Sequence, residues 1–213
     1  MSAKLPDGAT VSIATGLGPI RPVTALSSAA PPVASAVANG LANNDLAWLT
    51  SGWQQLHDRI YKVGGAASDS FTLVGADTTN ATRFPAGGSA GTVRKITAWQ
   101  QVTQILGFET SGGDQQFANF SYLEEDFERQ LPTITSAQSI ALTIADDATL
   151  AGYIALKAAS DARALTPIRL ALVDGSMVLY NGIIALNETP TLTKGQVMSV
   201  RASISLQSRP VRY

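Results

Sequence analysis

The alternation of apolar and polar residues predicts β-strands along most of this chain and a helix in one place. Val11 and Ile13 share a face within Ala9–Ala14, and Gly16, Gly18 and Pro19 are expected to end that strand. From Pro22 to Thr92 the texture changes to short apolar runs: Val23–Leu26, Asp45–Leu49, Arg59–Val63 and Ser70–Val74. Turn signals such as Asn39-Gly40 and Gly64-Gly65 separate them. This pattern predicts a small barrel of short strands, about 70 residues long. The Gly- and Ala-rich stretch Pro85–Gly91 reads as its exit linker, so the module is expected to tolerate removal.

The second half alternates more cleanly. Ile140, Leu142 and Ile144 form one face of a half-buried strand. A helix is predicted near Thr149–Arg163, with Asp147 as N-cap, Pro167 beyond its end, and Leu150, Tyr153, Ile154 and Ala158 on its buried face. Ile168, Leu170 and Leu172 alternate up to Asp174-Gly175, a hairpin signal, and Met177–Leu186 returns. In the last strand Met198, Val200, Ala202, Ile204 and Leu206 face one way, and Ser199, Arg201, Ser203, Ser205 and Gln207 the other. Between Glu109 and Thr135 lies a long polar excursion with no sustained period. Its aromatics, Phe117, Phe120, Tyr122 and Phe127, are uncommon in disordered segments, so it is expected to order against a partner.

Charge narrows the function classes. Only 15% of residues are charged and the net charge is −1, which argues against tight phosphate binding and for a surface that meets other protein. There is no cysteine, hence no disulfide, thiolate nucleophile or Cys-ligated zinc. The amino end has no apolar stretch after Lys4 and no run is long enough to span a bilayer. A soluble protein made in the cytoplasm, with no membrane partner, is expected.

The candidate chemistry is thin. His57 is the single histidine, which leaves no second histidine for a metal site and puts all general-base work of a triad on one residue. Glu124, Glu125 and Asp126 could pair as acid and base or bind a cation, but the calcium-loop pattern is absent and a solvated acidic surface explains them better. Gly16-Leu17-Gly18 lacks the third glycine of a phosphate cradle. Trp48, Trp53 and Trp99 fit packing better than a carbohydrate platform. No catalytic, cofactor or metal site is expected.

Several stretches carry a family likeness in order: LPDGATVSIA (Leu5–Ala14), TSGWQQLHDRIYKV (Thr50–Val63), TTNATRFPAGG (Thr78–Gly88), AWQQVTQILGFETSGGDQQF (Ala98–Phe117), YLEEDFERQLPTITSAQSI (Tyr122–Ile140) and SRPVRY (Ser208–Tyr213). In these the chain resembles the major tail tube proteins of long-tailed, non-contractile bacteriophages. The resemblance implies a mainly β fold: two packed antiparallel sheets with one flanking helix, from residues 1–21 and 93–213. Residues 22–92 resemble a small β-barrel module inserted in phage tail proteins, here expected to face outward. It further implies a structural subunit of the virion tail, assembled in the host cytoplasm. Six copies would form a ring whose inner sheets join into one barrel, and rings would stack into a hollow tube that passes double-stranded DNA. Tail terminator and tail tip proteins would meet the tube ends. Two alternatives stay open: a tube subunit of a related contractile injection machine, and a carbohydrate-binding β-sandwich of a tail tip.

The family's long loop, here Glu109–Thr135, is expected to reach between subunits and rings. Candidate contacts there are Glu109, Asp114, Phe117, Phe120, Glu124, Glu125, Asp126 and Phe127. Arg209 and Arg212, which bracket Pro210, together with Tyr213, form a stiff carboxyl-terminal arm expected to lie on a neighbouring subunit and meet the Glu124–Asp126 cluster. For a DNA-passing surface two faces compete: Ser199, Ser203 and Ser205 around Arg201, or Ser139 and Thr143.

Overall fold

The computed structural model describes residues 7–213, so Leu5 and Pro6 of the first quoted stretch lie outside the described residues. The chain opens with β1 (Thr10–Leu17), then β2 (Arg21–Val23), β3 (Ala25–Leu26), β4 (Val33–Ser35), β5 (Leu46–Ser51), β6 (Arg59–Gly64) and β7 (Ser70–Leu73). It continues through β8 (Gly91–Val102), β9 (Ile105–Ser111), β10 (Gln115–Phe120), β11 (Arg129–Thr135) and β12 (Ser139–Ala145). The helix α1 (Ala151–Ala162) follows, then β13 (Leu165–Ala171), β14 (Met177–Thr191), β15 (Ser199–Leu206) and β16 (Val211–Arg212). The fold is mainly β with one helix, as the alternation predicts.

The strands do not form the two packed sheets that the resemblance implied. They join in one curled antiparallel sheet of order β3-β4-β7-β6-β5-β8-β1-β13-β14-β15-β12-β9, with β10-β11 apart as a two-stranded sheet. The physical reason is β8. Its first half pairs with β5 (Lys95 with Ala47, Gly91 with Ser51) and its second with β1 (Ile96 with Leu17, Val102 with Val11). One twelve-residue strand therefore joins the two halves of the sheet. Strand β1 also runs past its expected stop. A register shift at Gly16 absorbs the irregularity, the usual role of glycine at a bulge.

Residues 21–73 pair in a circuit. Strand β2 bonds β8, its near-continuation β3 bonds β4, and β4, β7, β6, β5 and β8 follow in turn. Inside lie Leu49, Trp53, Tyr61, Phe71 and Phe84, all buried. The expected exit linker is instead pinned to this module. Trp53 Nε1 donates to Pro85 O (2.8 Å), Ser51 Oγ to Ser89 O (3.1 Å) and Gly52 N to Ala90 O (2.9 Å). A second core (Val11, Ile13, Leu142, Ile144, Ile168, Ile204) lies under the helix. A third, small cluster of Leu46, Ile60, Ile96 and Leu179 joins the two, with Trp99, Met177 and Tyr213 against it. The boundary that read as soft is bonded and packed.

The helix ends where expected, and Tyr153 and Leu150 pack on the core as read, but the rest of its buried face differs. Gly152, Tyr153 and Leu156 are buried, whereas Ile154 is 55% exposed and Ala158 is also exposed. Gly152 sets this rotation: a Cβ there would lie 2.8 Å from Gln101 O and Val102 Cα, so the helix touches β8 backbone to backbone. Leu150, not Asp147, holds the N-cap position. Asp147 instead accepts from the Thr149 hydroxyl (2.6 Å) and backbone N–H (3.0 Å), and these bonds hold its carboxyl below the usual range. Pro167 falls inside β13, where β1 pairing has already ended at Ile168 and no partner needs its missing N–H.

Candidate assembly surfaces

Strands β10 and β11 project from the sheet as an arm. The excursion expected as a loop is thus largely a hairpin, with Phe117 opposite Pro132 and Phe120 opposite Arg129. Proline is tolerated because, among the described residues, no third strand pairs β11. Gly112 opens the arm at φ +77°, and a Cβ there would sit 1.9 Å from Ala137 O. Asp114 stays at the foot: Ser136 Oγ accepts from its N–H (3.0 Å) and its carbonyl accepts from Ser136 N (2.9 Å). Along the arm Phe117, Leu131 and Ile134 are exposed, and at its tip Tyr122, Leu123 and Phe127 (71%) are exposed too. Only part of the tip is internally organised. Arg129 pairs with Glu125 and lies 5.9 Å from the Tyr122 ring, which meets Phe120 edge-on at 5.7 Å. Glu124 and Asp126 are exposed beside them. Apolar side chains left out on a two-stranded arm cost free energy in water unless another surface covers them.

The two faces that competed as a polar surface are one face. Cross-strand register places Ser111, Ser139, Ser205 and Ile183 in a row, then Glu109, Ala141, Ser203 and Ala185, then Gly107, Thr143, Arg201 and Asn187. The opposite side of these strands is the core of Ile140, Leu142, Ile144, Val200 and Ile204. The polar face is built mostly from small and hydroxyl side chains, with Ile183 and Asn187 at its β14 side and Glu109 and Arg201 as opposite charges. Among the described residues β9 pairs only β12, and β14 beyond Ile183 pairs no strand on its β13 side, where the helix takes one bond, Leu186 N to Ser160 Oγ (3.0 Å).

A family profile described as "Phage tail tube protein, TTP" matches residues 51–213. The chain belongs to the phage tail tube protein family. Members are structural proteins of the virion tail that self-assemble, not enzymes. The match begins within β5 and takes in β6 and β7, so part of the small module lies inside it. Among solved structures, a chain of the "Cryo-EM structure of the anti-feeding prophage (AFP) baseplate, 6-fold symmetrised" is 8% identical with a TM-score of 0.38, covering 55% of this chain and 85% of that one. A likeness that slight carries no argument. No curated protein matches the chain.

The carboxyl-terminal arm of this tail tube protein docks on its own chain. Strand β16 pairs β14 through Val211–Leu179 and Arg212–Val178. Tyr213 Oη accepts from Lys62 N (2.9 Å) and donates to Val74 O (2.9 Å), and its hydroxyl pKa is raised by burial. In the single chain its side chain therefore sits between the module and the sheet. Arg209 and Arg212 remain exposed, and Arg209 Nη2 donates to Thr135 Oγ1 at the arm's foot (3.1 Å). The structure does not bring either arginine to Glu124–Asp126 of the same chain.

The remaining candidates are accounted for by packing. His57 Nδ1 lies 2.7 Å from Ser51 O and Nε2 3.3 Å from Asp58. Trp53 is buried edge-on to Phe84, Trp48 donates to Asp58 Oδ1 (3.0 Å), and Trp99 lies 4.9 Å under the Arg169 guanidinium. They form no common platform. Among the described residues no group of three or more His, Asp or Glu is placed to hold a metal, and no helix is long and apolar enough to cross a membrane. Sequence reasoning missed Leu131, Ile134 and the exposed Ile154. Leu131 and Ile134 stand three apart in Arg129–Thr135, so no strand alternation signals them, and nothing in the sequence signals the Gly152 contact that exposes the third.

Proposed function

We propose that this chain is the tube subunit of a long-tailed, non-contractile phage. It forms rings of six that stack into a hollow tube for double-stranded DNA. The free edge of β9 joins the end of β14 beyond Leu186 on a neighbour, which closes the ring and removes edges that would otherwise pair at random. The polar face of β9, β12, β15 and β14 lines the channel, and the module at 22–92 faces outward, where it does not obstruct. The observation that carries this reading is that face: uncovered, small, rich in hydroxyls and balanced in charge. Such a lining offers a duplex few fixed cations, so it cannot hold phosphates by counterion release. The arm spans subunits or rings, and terminator and tip proteins meet the tube ends.

The absence of cysteine permits a clean test. Ser203→Cys and Ala81→Cys are labelled with biotin-maleimide and assembled, and streptavidin is added. Streptavidin should bind Ala81→Cys tubes and reach the Ser203→Cys biotin only after the tubes are dissociated. Equal access at both sites, or failure of the wild-type chain to form tubes, would overturn the proposal.

A further inference from the structure

We infer that a basic groove beside the carboxyl-terminal strap is the seat for the acidic arm tip of a second copy of this chain. The inference rests on the self-assembly proposed above and names the surfaces that meet. The groove, about 450 Å³, is lined by Gln54, His57, Arg59, Arg83, Ser208 and Arg209, among others. Its three guanidinium groups lack a carboxylate. Arg59 spends its N–H groups on the carbonyls of Gln55 (3.0 Å), Arg209 (3.1 Å) and Pro210 (3.2 Å), which leaves its charge uncompensated. Arg209 reaches only Thr135 Oγ1, and among the described residues no carboxylate lies within ion-pair distance of Arg59, Arg83 or Arg209. The nearest competitors are already engaged: Asp58 by His57 and Trp48, Asp77 by Thr79.

The arm tip has the opposite surplus. Glu125 is taken by Arg129, while Glu124, Asp126 and Glu128 are exposed and make no ion pair among the described residues. Guanidinium–carboxylate pairs are the strongest charge-assisted contacts either surface can make. The tip cannot reach the groove of its own chain. The Arg209–Thr135 bond places the groove at the arm's foot, and a six-residue strand carries the tip roughly 20 Å away. The contact therefore joins the tip of one copy to the foot of the next. Tip and seat are different patches, so the interface is head-to-tail and propagates, as a ring or a stack requires.

Two charge-reversed full-length chains test this. The groove variant carries Arg83→Glu and Arg209→Glu; the tip variant carries Glu124→Lys, Asp126→Lys and Glu128→Lys. Each alone should keep the wild-type circular dichroism and need at least roughly tenfold more protein to assemble in sedimentation velocity, the effect of losing one strong charge pair per contact. An equimolar mixture should assemble again, because each tip then finds an opposite groove, and so should one chain carrying all five changes. A groove variant that assembles like the wild type would overturn this inference and leave the tube reading intact. So would single variants that fail with no rescue in the mixture or the combined chain. A wild-type chain that stays monomeric would overturn both.

Discussion

The module, at one end of the large sheet, and the arm, apart from it, are both rich in aromatics and treat them in opposite ways. The module closes its strands in a circuit, so Trp53, Phe71 and Phe84 are shut inside. The arm has two strands and no second layer, so Phe117, Leu123 and Phe127 stay outside. Two strands cannot bury both of their faces without a partner. The difference assigns them different work: apolar area in the module holds the chain together, and apolar area on the arm is free to hold copies together.

Substitutions can break that contrast, and the largest effect belongs to the helix, which repeats it within one turn. Leu156 is 0% exposed, so Leu156→Asp buries an unpaired charge and should abolish folding, seen as loss of a cooperative melt. Ile154→Asp should leave the melt within a few degrees of the wild type, since Ile154 faces solvent in the single chain; an unfolded Ile154→Asp chain would refute the helix rotation described here. Next comes the direct comparison. Phe71→Ala should lower unfolding free energy by about 3–5 kcal/mol in urea. Phe127→Ala should change it by no more than about 0.5 kcal/mol while reducing assembly.

The smallest effect concerns pH. Burial pushes the Tyr61 hydroxyl from 10.0 up to about 12, with the Arg59 guanidinium partly opposing. The folded state thus favours the neutral phenol. Its contribution is complete below the unfolded pKa near 10 and is lost as pH rises through about 12, on the order of 2 kcal/mol. Tyr61→Phe should fold as well as the wild type at pH 7 and show a shallower alkaline loss; buried Tyr213, raised in the same direction, supplies the remainder.

Strands were legible wherever one face is buried, because alternation and burial then coincide: Ile140–Leu142–Ile144 and Val200–Ala202–Ile204 lie on one face as read. The arm was not legible as strands because both its faces are wet, so no alternation is imposed on it. Half of the helix face, Ile154 and Ala158, was misread for another reason: a backbone contact at Gly152 decides the rotation, and glycine adds nothing to an apolar pattern. The single sheet and the docked Tyr213 depend on pairings between distant segments, β8 with both β5 and β1, and β16 with β14, which local periodicity does not encode. Of the candidate contacts, the arm residues were legible as a cluster of aromatics and acids, while the groove at Arg59, Arg83 and Arg209 exists only once residues far apart in sequence converge.

The most direct test of the division between module and arm replaces residues 115–134 with a short Gly/Ser turn and compares that chain with the wild type by thermal melting, sedimentation and negative-stain imaging. The wild type should form hollow tubes, and the armless chain should melt at the same temperature as a discrete particle with no tubes. Tubes formed without the arm, or a chain that unfolds when the arm is removed, would contradict the account.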